Sequence, residues 1–345
     1  MLKEQDLGQR MVVRRIVAVR EGRPLFSDTL GDLIALDETH LTIRTRTGEV
    51  RIARTDVHRA KRVPPSRQAS AAQTVELELA ADEGWPAPVR ERLGDWILRA
   101  AQGWTGRANS ALAVGDPGLP LDVAADEVRR WYAARGLPAV ISVPLPAARR
   151  TDAILEQLGW SAAPTVLVQT APLAAVRQAL GGPAPARSSG GTAPDPVSPP
   201  DGHASAAVVT LDARPAEDWL EFAARREVPL PDAARHVLGA APQVRFATIR
   251  DAAGKPIAAG RGTISGQGRW LGLTSMVVAP RWRRRGLARQ VIAALATWAA
   301  EAGARDVYLQ VEERNTTAVA LYGELGLHTA HTYHYRREPA RPGPV

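Results

Sequence analysis

The run Val277-Val278-Ala279-Pro280-Arg281-Trp282-Arg283-Arg284-Arg285-Gly286-Leu287-Ala288 carries the clearest chemistry in the chain. An apolar strand, Trp270 to Val278, stops at a proline. A basic turn containing a glycine follows, and then an alanine-rich helix from Leu287 to about Ala302. The first N–H groups of a helix have no intrahelical partner, and the helix dipole favours negative charge beside them. Gly286 lets the backbone approach an anion closely. Strand, basic turn and helix N-terminus in that order build a site suited to a diphosphate. A second constellation lies beyond the helix. Asp306 to Glu313 alternates, with Val307, Leu309 and Val311 on one face and Gln310 and Glu312 on the other. Asn315 is a good helix N-cap, the helix after it carries Tyr322, and Gly326 closes it. A last strand runs from His328 to Arg337. His331 and His334 stand three apart in that strand, face opposite sides and form no ligand pair. Cysteine is absent, which excludes disulfides, thiolate-ligated zinc and a cysteine nucleophile; no metal cluster is expected.

These two stretches resemble motifs A and B of the GCN5-related N-acetyltransferases, the GNAT family. The pyrophosphate loop of that family reads Gln/Arg-x-x-Gly-x-Gly/Ala, and Arg283-Arg284-Arg285-Gly286-Leu287-Ala288 is similar to it. The second stretch matches in order: strand, Asn315, a helix with the Leu321-Tyr322 pair, Gly326, strand. The resemblance covers residues 206–337. It implies an α/β fold with a mixed sheet, and direct transfer of an acetyl group from acetyl-CoA, a cosubstrate, to a primary amine. By resemblance the backbone amides of Met276, Val277 and Val278, at a strand bulge, hold the pantetheine arm and the thioester oxygen. The turn from Arg283 through Arg284, Arg285, Gly286 and Leu287 to Ala288 holds the diphosphate, with Arg281 adding charge. Asn315 and Tyr322 contact the cofactor, and Tyr322 protonates the departing thiolate, its ordinary pKa near 10 lying close to that of a thiol. In the ribosomal-protein branch of the family a Glu five residues before the Asn is the base. Gln310 stands there, which argues against that substrate class or mechanism. Glu312, on the same strand face, is the candidate base, with a surface carboxylate or a water chain as alternatives. Glu227, in the loop between the first two helices of the domain, is the candidate acceptor contact.

The elements that must position these residues fall into separate stretches. Residues 179–205 are rich in Gly, Pro and Ser and read as a linker. After it, residues 206–338 read as the catalytic domain: strand 206–212, helices 216–226 and 231–239, a hairpin around Gly254, then the two motifs; 339–345 is a tail. Residues 1–68 carry short strands (11–19, 30–36, 41–46, 50–53) set off by turn signals at Gly31-Asp32 and Thr47-Gly48, suggesting a small all-β barrel of Src-homology-3 type. Its net charge of +5, within a chain at +8, admits nucleic acid or a protein partner, but Phe26 is its sole aromatic, so docking on its own chain is favoured. Residues 72–178 read as a degenerate GNAT-like domain without the basic loop: strands 75–79 and 110–114, helices 87–101 and 121–135, then strand 140–143, helix 151–159 and strand 165–169. Trp104 to Ser110 reads as a capped turn or as part of an acceptor cleft. The whole plan resembles actinobacterial GNAT proteins with an N-terminal barrel and a decayed first unit. No apolar run reaches the ~18 residues of a membrane helix, the N-terminus lacks an apolar secretion core, and a cytoplasmic location is expected. Two rival functions stand: an acyl-CoA sensor without turnover, and nucleic-acid binding through residues 1–68.

Overall fold

The computed structural model describes residues 6–20, 23–45, 48–62, 69–181, 186–187, 208–224 and 230–339. The chain divides into two compact units, Met1–Ser70 and Ala71–Val345.

In the first unit, β1 (Arg10–Arg20), β2 (Arg23–Leu36), β3 (His40–Thr45), β4 (Gly48–Ala53) and β5 (Val57–Arg62) form an antiparallel sheet of order β4-β3-β2-β1-β5. Alternate residues Met11, Val13, Leu41 and Ile43 point inward and bury a small core with Leu33 and Ile52. No pairing among the described residues joins β4 to β5, so the expected barrel is seen as a five-stranded sheet. Gly31 marks no turn. It lies inside β2, where a Cβ would stand 2.1 Å from the Arg44 carbonyl oxygen, so it permits a close approach of strands.

The second unit opens with α1 (Ala71–Glu83), β6 (Val89–Leu93), β7 (Trp96–Ala100), β8 (Ala111–Leu112), α2 (Leu121–Ala133), β9 (Val140–Leu145), α3 (Arg149–Gln157), β10 (Ser161–Ala162), β11 (Val166–Pro172) and α4 (Leu173–Ala179). It continues with β12 (Ala186–Arg187), β13 (Val209–Asp212), α5 (Glu217–Ala224), α6 (Asp232–Gly239), β14 (Gln243–Arg250), β15 (Pro256–Ser265), β16 (Trp270–Val278), α7 (Leu287–Glu301), β17 (Asp306–Glu312), α8 (Thr316–Glu324) and β18 (His328–Arg337).

Two sequence expectations fail in its first half. The alternation of Val75, Leu77 and Leu79 suggests a strand, but the segment is the helix α1. Alanine, glutamate and leucine favour helix over its whole length, and Thr74, Leu77, Glu78 and Ala81 form one buried stripe. The helix expected over 87–101 is the β6–β7 hairpin. Gly94 turns it at φ +56°, the left-handed conformation of a two-residue hairpin loop.

The sheet of the second unit is continuous, running β12-β13-β14-β15-β16-β17-β11-β18-β9-β8-β7-β6, with β10 beside β18. Each half contains a parallel pair joined by a helix: β8 with β9 across α2, and β16 with β17 across α7. The halves then exchange their last strands. β11, from the first half, pairs with β17; β18, from the second half, pairs with β9; and β11 and β18 pair with each other. The largest core cluster gathers around α7, whose Val291, Ile292, Ala294 and Leu295 are fully buried against the sheet.

Candidate active site

β16 and β17 pair in parallel from Trp270 with Asp306 to Leu273 with Leu309, and there the pairing stops. Against β15, Thr274 still faces Arg261 and Val277 faces Ala259, so Ser275 and Met276 together oppose Gly260. That is a bulge, and Ser275 takes a left-handed φ of +53° within it. A bulge re-aims a strand. β16 leaves β17, and a cleft of about 340 Å³ opens between them, lined among others by Thr274, Met276, Gln310, Glu312, Asn315 and Tyr322. The Ala279 amide donates to the Ile257 carbonyl at 2.9 Å, so strand alternation turns the Val278 amide to the opposite edge, away from β15. Val277 is buried in its pairing with Ala259.

Past the strand, Pro280–Trp282 makes a single 3-10 turn. Arg284 (φ +61°) and Gly286 (φ +75°) then adopt left-handed conformations, and Gly286 caps α7. The first amides of that helix, from Leu287 and Ala288, are free of intrahelical partners by geometry. Arg281, Arg283, Arg284 and Arg285 are exposed, and none forms an ion pair among the described residues. Arg283 Nε donates to the Val278 carbonyl at 3.4 Å, and the Arg285 guanidinium lies 5.0 Å from the Trp282 ring centre. Four uncompensated guanidinium groups around a helix N-terminus fit a diphosphate, and a bulged strand edge fits an extended amide-bearing arm. The corresponding turn of the first half, between β8 and α2, has Asp95 Oδ2 accepting from the Asp116 amide at 2.8 Å, with Asp122 in the first helical turn. Carboxylates stand there where a diphosphate would need cations.

Tyr322 projects from α8, is 8% exposed, and lines the cleft. Burial pushes its pKa up to about 12, so the close match to a thiol expected from its ordinary value is lost. Asn315 caps α8, its side-chain oxygen accepting from the Ala318 amide at 3.3 Å, which leaves its NH₂ group at the cleft. Glu312 is half exposed on the rim and ion-paired with Arg314 at 2.6 Å. Gln310 accepts a hydrogen bond from the Tyr333 hydroxyl at 3.0 Å. Glu227 lies outside the described residues. His331 contacts Glu78 and His334 contacts Asp152, each at 2.7 Å, so the two histidines serve different partners. Among the described residues no group of three or more His, Asp or Glu side chains is placed to hold a metal ion. A larger cavity of about 550 Å³, lined by Arg135, Leu137 and His236 among others, shares no lining residue with the cleft.

The Trp104–Ser110 segment fulfils its bland expectation in one residue. Asn109 accepts from the Ala101 and Gly103 amides at 2.8 and 2.9 Å, and donates to the Trp104 and Thr105 carbonyls at 2.7 and 2.9 Å. Sequence reasoning missed the groups that hold two lining residues from behind: Tyr333, which donates to Gln310, and Arg261, which donates to Thr274. One signal was available: Arg261 interrupts an otherwise small and apolar strand.

A parallel pair splayed by a bulge, with a basic left-handed turn at one end and a phenol at the opening, defines an N-acetyltransferase of the GCN5-related fold. The family model described as "Probable histone acetyltransferase Rv0428c C-terminal" matches residues 71–180 and 193–336, and the chain belongs to that family. The chain is 30% identical over 348 aligned positions to the "Probable histone acetyltransferase Rv0428c" of Mycobacterium tuberculosis, covering 99% of this chain and 98% of the relative. It is 26% identical over 264 positions to the "Uncharacterized N-acetyltransferase YobR" of Bacillus subtilis, covering 75% and 96%. A GCN5-related N-acetyltransferase from Kribbella flavida shares the fold, with a TM-score of 0.54 and 16% identity over 77% of this chain and 96% of that one. Among the described residues no helix is long and apolar enough to cross a membrane.

Proposed function

We propose that the chain transfers an acetyl group from acetyl-CoA directly to a primary amine held at the splay between β16 and β17. The observation that carries this is the bulge at Ser275-Met276, which frees a strand edge beside an uncompensated basic turn. The amides of Met276 and Val278 bind the pantetheine arm and polarise the thioester. The Arg283–Ala288 turn binds the diphosphate, with Asn315 as a further donor. The amine nitrogen bonds to the acyl carbon as the carbon–sulfur bond breaks. Glu312 at the rim takes the proton that the ammonium sheds before the neutral amine attacks. Tyr322 donates its proton to the leaving sulfur and is reprotonated, through solvent, by the second proton that the nitrogen loses as the amide forms. With no cysteine to carry the acyl group, a single ternary complex is the simplest route. The name of the M. tuberculosis relative points to a histone, whose acceptor group is a lysine amine; the primary amine is what we carry over.

The test is calorimetric titration of the full chain and of Gly286→Glu with acetyl-CoA. A Cβ at Gly286 meets no atom within 4 Å, so the variant is not excluded by packing. It places a carboxylate at the diphosphate and a side chain in a left-handed conformation that costs about 1–2 kcal/mol. Micromolar binding by the full chain, weakened at least about 100-fold in the variant, is expected. Absence of binding by the full chain overturns the proposal.

A further inference from the structure

Buried arginines of the second unit are generally matched by carboxylates. Arg99 has Asp82 at 3.1 Å and Arg336 has Asp152 at 2.7 Å. The buried Arg261 and the partly buried Arg107 are not. Arg261, 0% exposed on β15, donates to the carbonyls of Leu238 (2.7 Å), Gly84 (2.9 Å) and Val237 (3.4 Å) and to Thr274 Oγ1 (3.3 Å). Its hydrogen bonds are made, although burial drives its pKa down to about 9. Arg107, on the turn between β7 and β8, is different. Its guanidinium makes no hydrogen bond or ion pair with any described residue, and its Nε is buried without a partner. It lies 5.4 Å from the Trp85 ring centre, and Arg261 lies 5.1 Å from the same ring. Tyr308, Tyr333 and Tyr335 crowd it, and the carboxylate in range, Glu78, is committed to His331 at 2.7 Å.

Both walls of the splayed cleft lead to this group. On the β17 side, Gln310 lines the cleft, the Tyr333 hydroxyl donates to it, and the Tyr335 hydroxyl lies 3.4 Å from that of Tyr333, beside Arg107. On the β16 side, Thr274 lines the cleft, Arg261 donates to it, and Arg261 and Arg107 both lie close to the Trp85 ring. A partly buried guanidinium set among aromatic rings and left with unmet donors offers an anion a charge-assisted partner. Its planar fork matches a carboxylate in two parallel hydrogen bonds. One free guanidinium beside an already saturated one suits a monoanion, and its setting among Trp85, Tyr333 and Tyr335 suits a small molecule.

Building on the acetyl-transfer reading, we propose that Arg107 binds the carboxylate of the acceptor, so that the enzyme acetylates small amino-carboxylic acids. The amine sits at the splay and the carboxylate on Arg107. The test compares acceptors that differ only in that group: L-lysine with cadaverine, L-ornithine with putrescine, L-phenylalanine with phenethylamine, and glycine with methylamine. Each is titrated calorimetrically into the CoA-saturated full chain, and turnover is followed in parallel. In at least one pair the amino acid binds about 30-fold tighter or more, with the same ratio in acceptor KM, as expected for a charge-assisted pair. Arg107→Gln reduces that preference below about 3-fold and leaves Tm nearly unchanged, since the guanidinium makes no hydrogen bond or ion pair with a described residue. Arg107→Lys, which keeps the charge and loses the fork, falls between. A structural arginine would instead destabilise when replaced. The proposal is overturned if the decarboxylated partner binds equally in every pair, if no amino acid binds, if Arg107→Gln keeps the preference, or if O-phosphoethanolamine binds more tightly than any amino acid. Failure of CoA itself to bind defeats the acetyl-transfer reading alone. The same pairs and variants titrated without CoA then decide the role of Arg107.

Discussion

Replacing Tyr322 with phenylalanine removes one hydroxyl from the cleft and leaves the ring in place. The hydroxyl has no partner among the described residues, and burial alone raises its pKa to about 12. Against a thiol of ordinary pKa, about 8.5, complete proton transfer is then uphill by about 3.5 units, or about 5 kcal/mol. The phenol therefore stabilises the developing thiolate by a hydrogen bond that becomes a transferred proton late. A general acid contributes about 10²- to 10⁴-fold, and a mismatched one belongs at the lower end. Tyr322→Phe should lower kcat about 100-fold, roughly 2.7 kcal/mol of transition-state stabilisation, with the acetyl-CoA Kd changed less than about threefold. Stability should change by less than about 1 kcal/mol. The chain has no cysteine, so thiol released by turnover of any accepted amine can be read with a disulfide dye free of protein background. The sign of the pH dependence follows from the raised pKa: the donating, neutral form persists until about pH 12, so the wild-type profile should show no alkaline fall due to Tyr322 near pH 10. A variant retaining kcat within about threefold, or a Tyr322-dependent fall centred near pH 10, would refute this account.

Asp82 holds Arg99 in the interior at 3.1 Å and also accepts from Arg90, so Asp82→Asn should cost about 3–5 kcal/mol in urea unfolding; an unchanged midpoint contradicts it. Burial pushes the Asp152 carboxyl up, but hydrogen bonds and charge from Arg336 and His334 outweigh it and hold the pKa below the ordinary 3.8. A carboxyl depressed by folding stabilises above its unfolded pKa and loses that contribution as pH falls through the folded value. Asp152→Asn should therefore lower Tm at pH 7, and its gap from wild type should close progressively below about pH 4; a constant gap speaks against the ion cluster. At Gly272 a Cβ would lie 2.4 Å from the Tyr308 hydroxyl and 2.9 Å from Thr263 Oγ1, both buried, so Gly272→Ala should cost about 1–3 kcal/mol, and an unshifted Tm would show that Tyr308 yields freely.

The second half of the larger unit was legible because local signals agree there. Pro280, Gly286, Asn315 and Gly326 punctuate segments whose hydrophobic period already names their type, and β16 and β18 fall where the pattern places them. In the first half local signals conflict. A five-residue alternation at Val75–Leu79 competes with helix propensity over a longer span, and Arg90, Glu91 and Arg92 of β6 mask a hairpin that Gly94 alone announces. In the Trp104–Ser110 segment Asn109 closes the turn that one expectation named, while Arg107 lies over the Trp85 ring. The exchange of β11 and β18 left no local trace, because strand pairing across the chain depends on neighbours that no window of sequence contains.

That exchange governs the order in which the protein can be made. β9 emerges from the ribosome well before its neighbour β18; at about 5–20 residues per second β18 follows it by roughly ten to forty seconds. Through that interval the edge of β9 stands bare, an open template for stray pairing. Nor can residues 206–338 be excised as a self-sufficient catalytic cassette: without β11, the strand that forms one wall of the cleft, β17, loses its antiparallel neighbour, and without β9, β10 and β11, β18 loses every strand it pairs with. The half that lacks the basic turn is thereby a structural subunit of the half that has it.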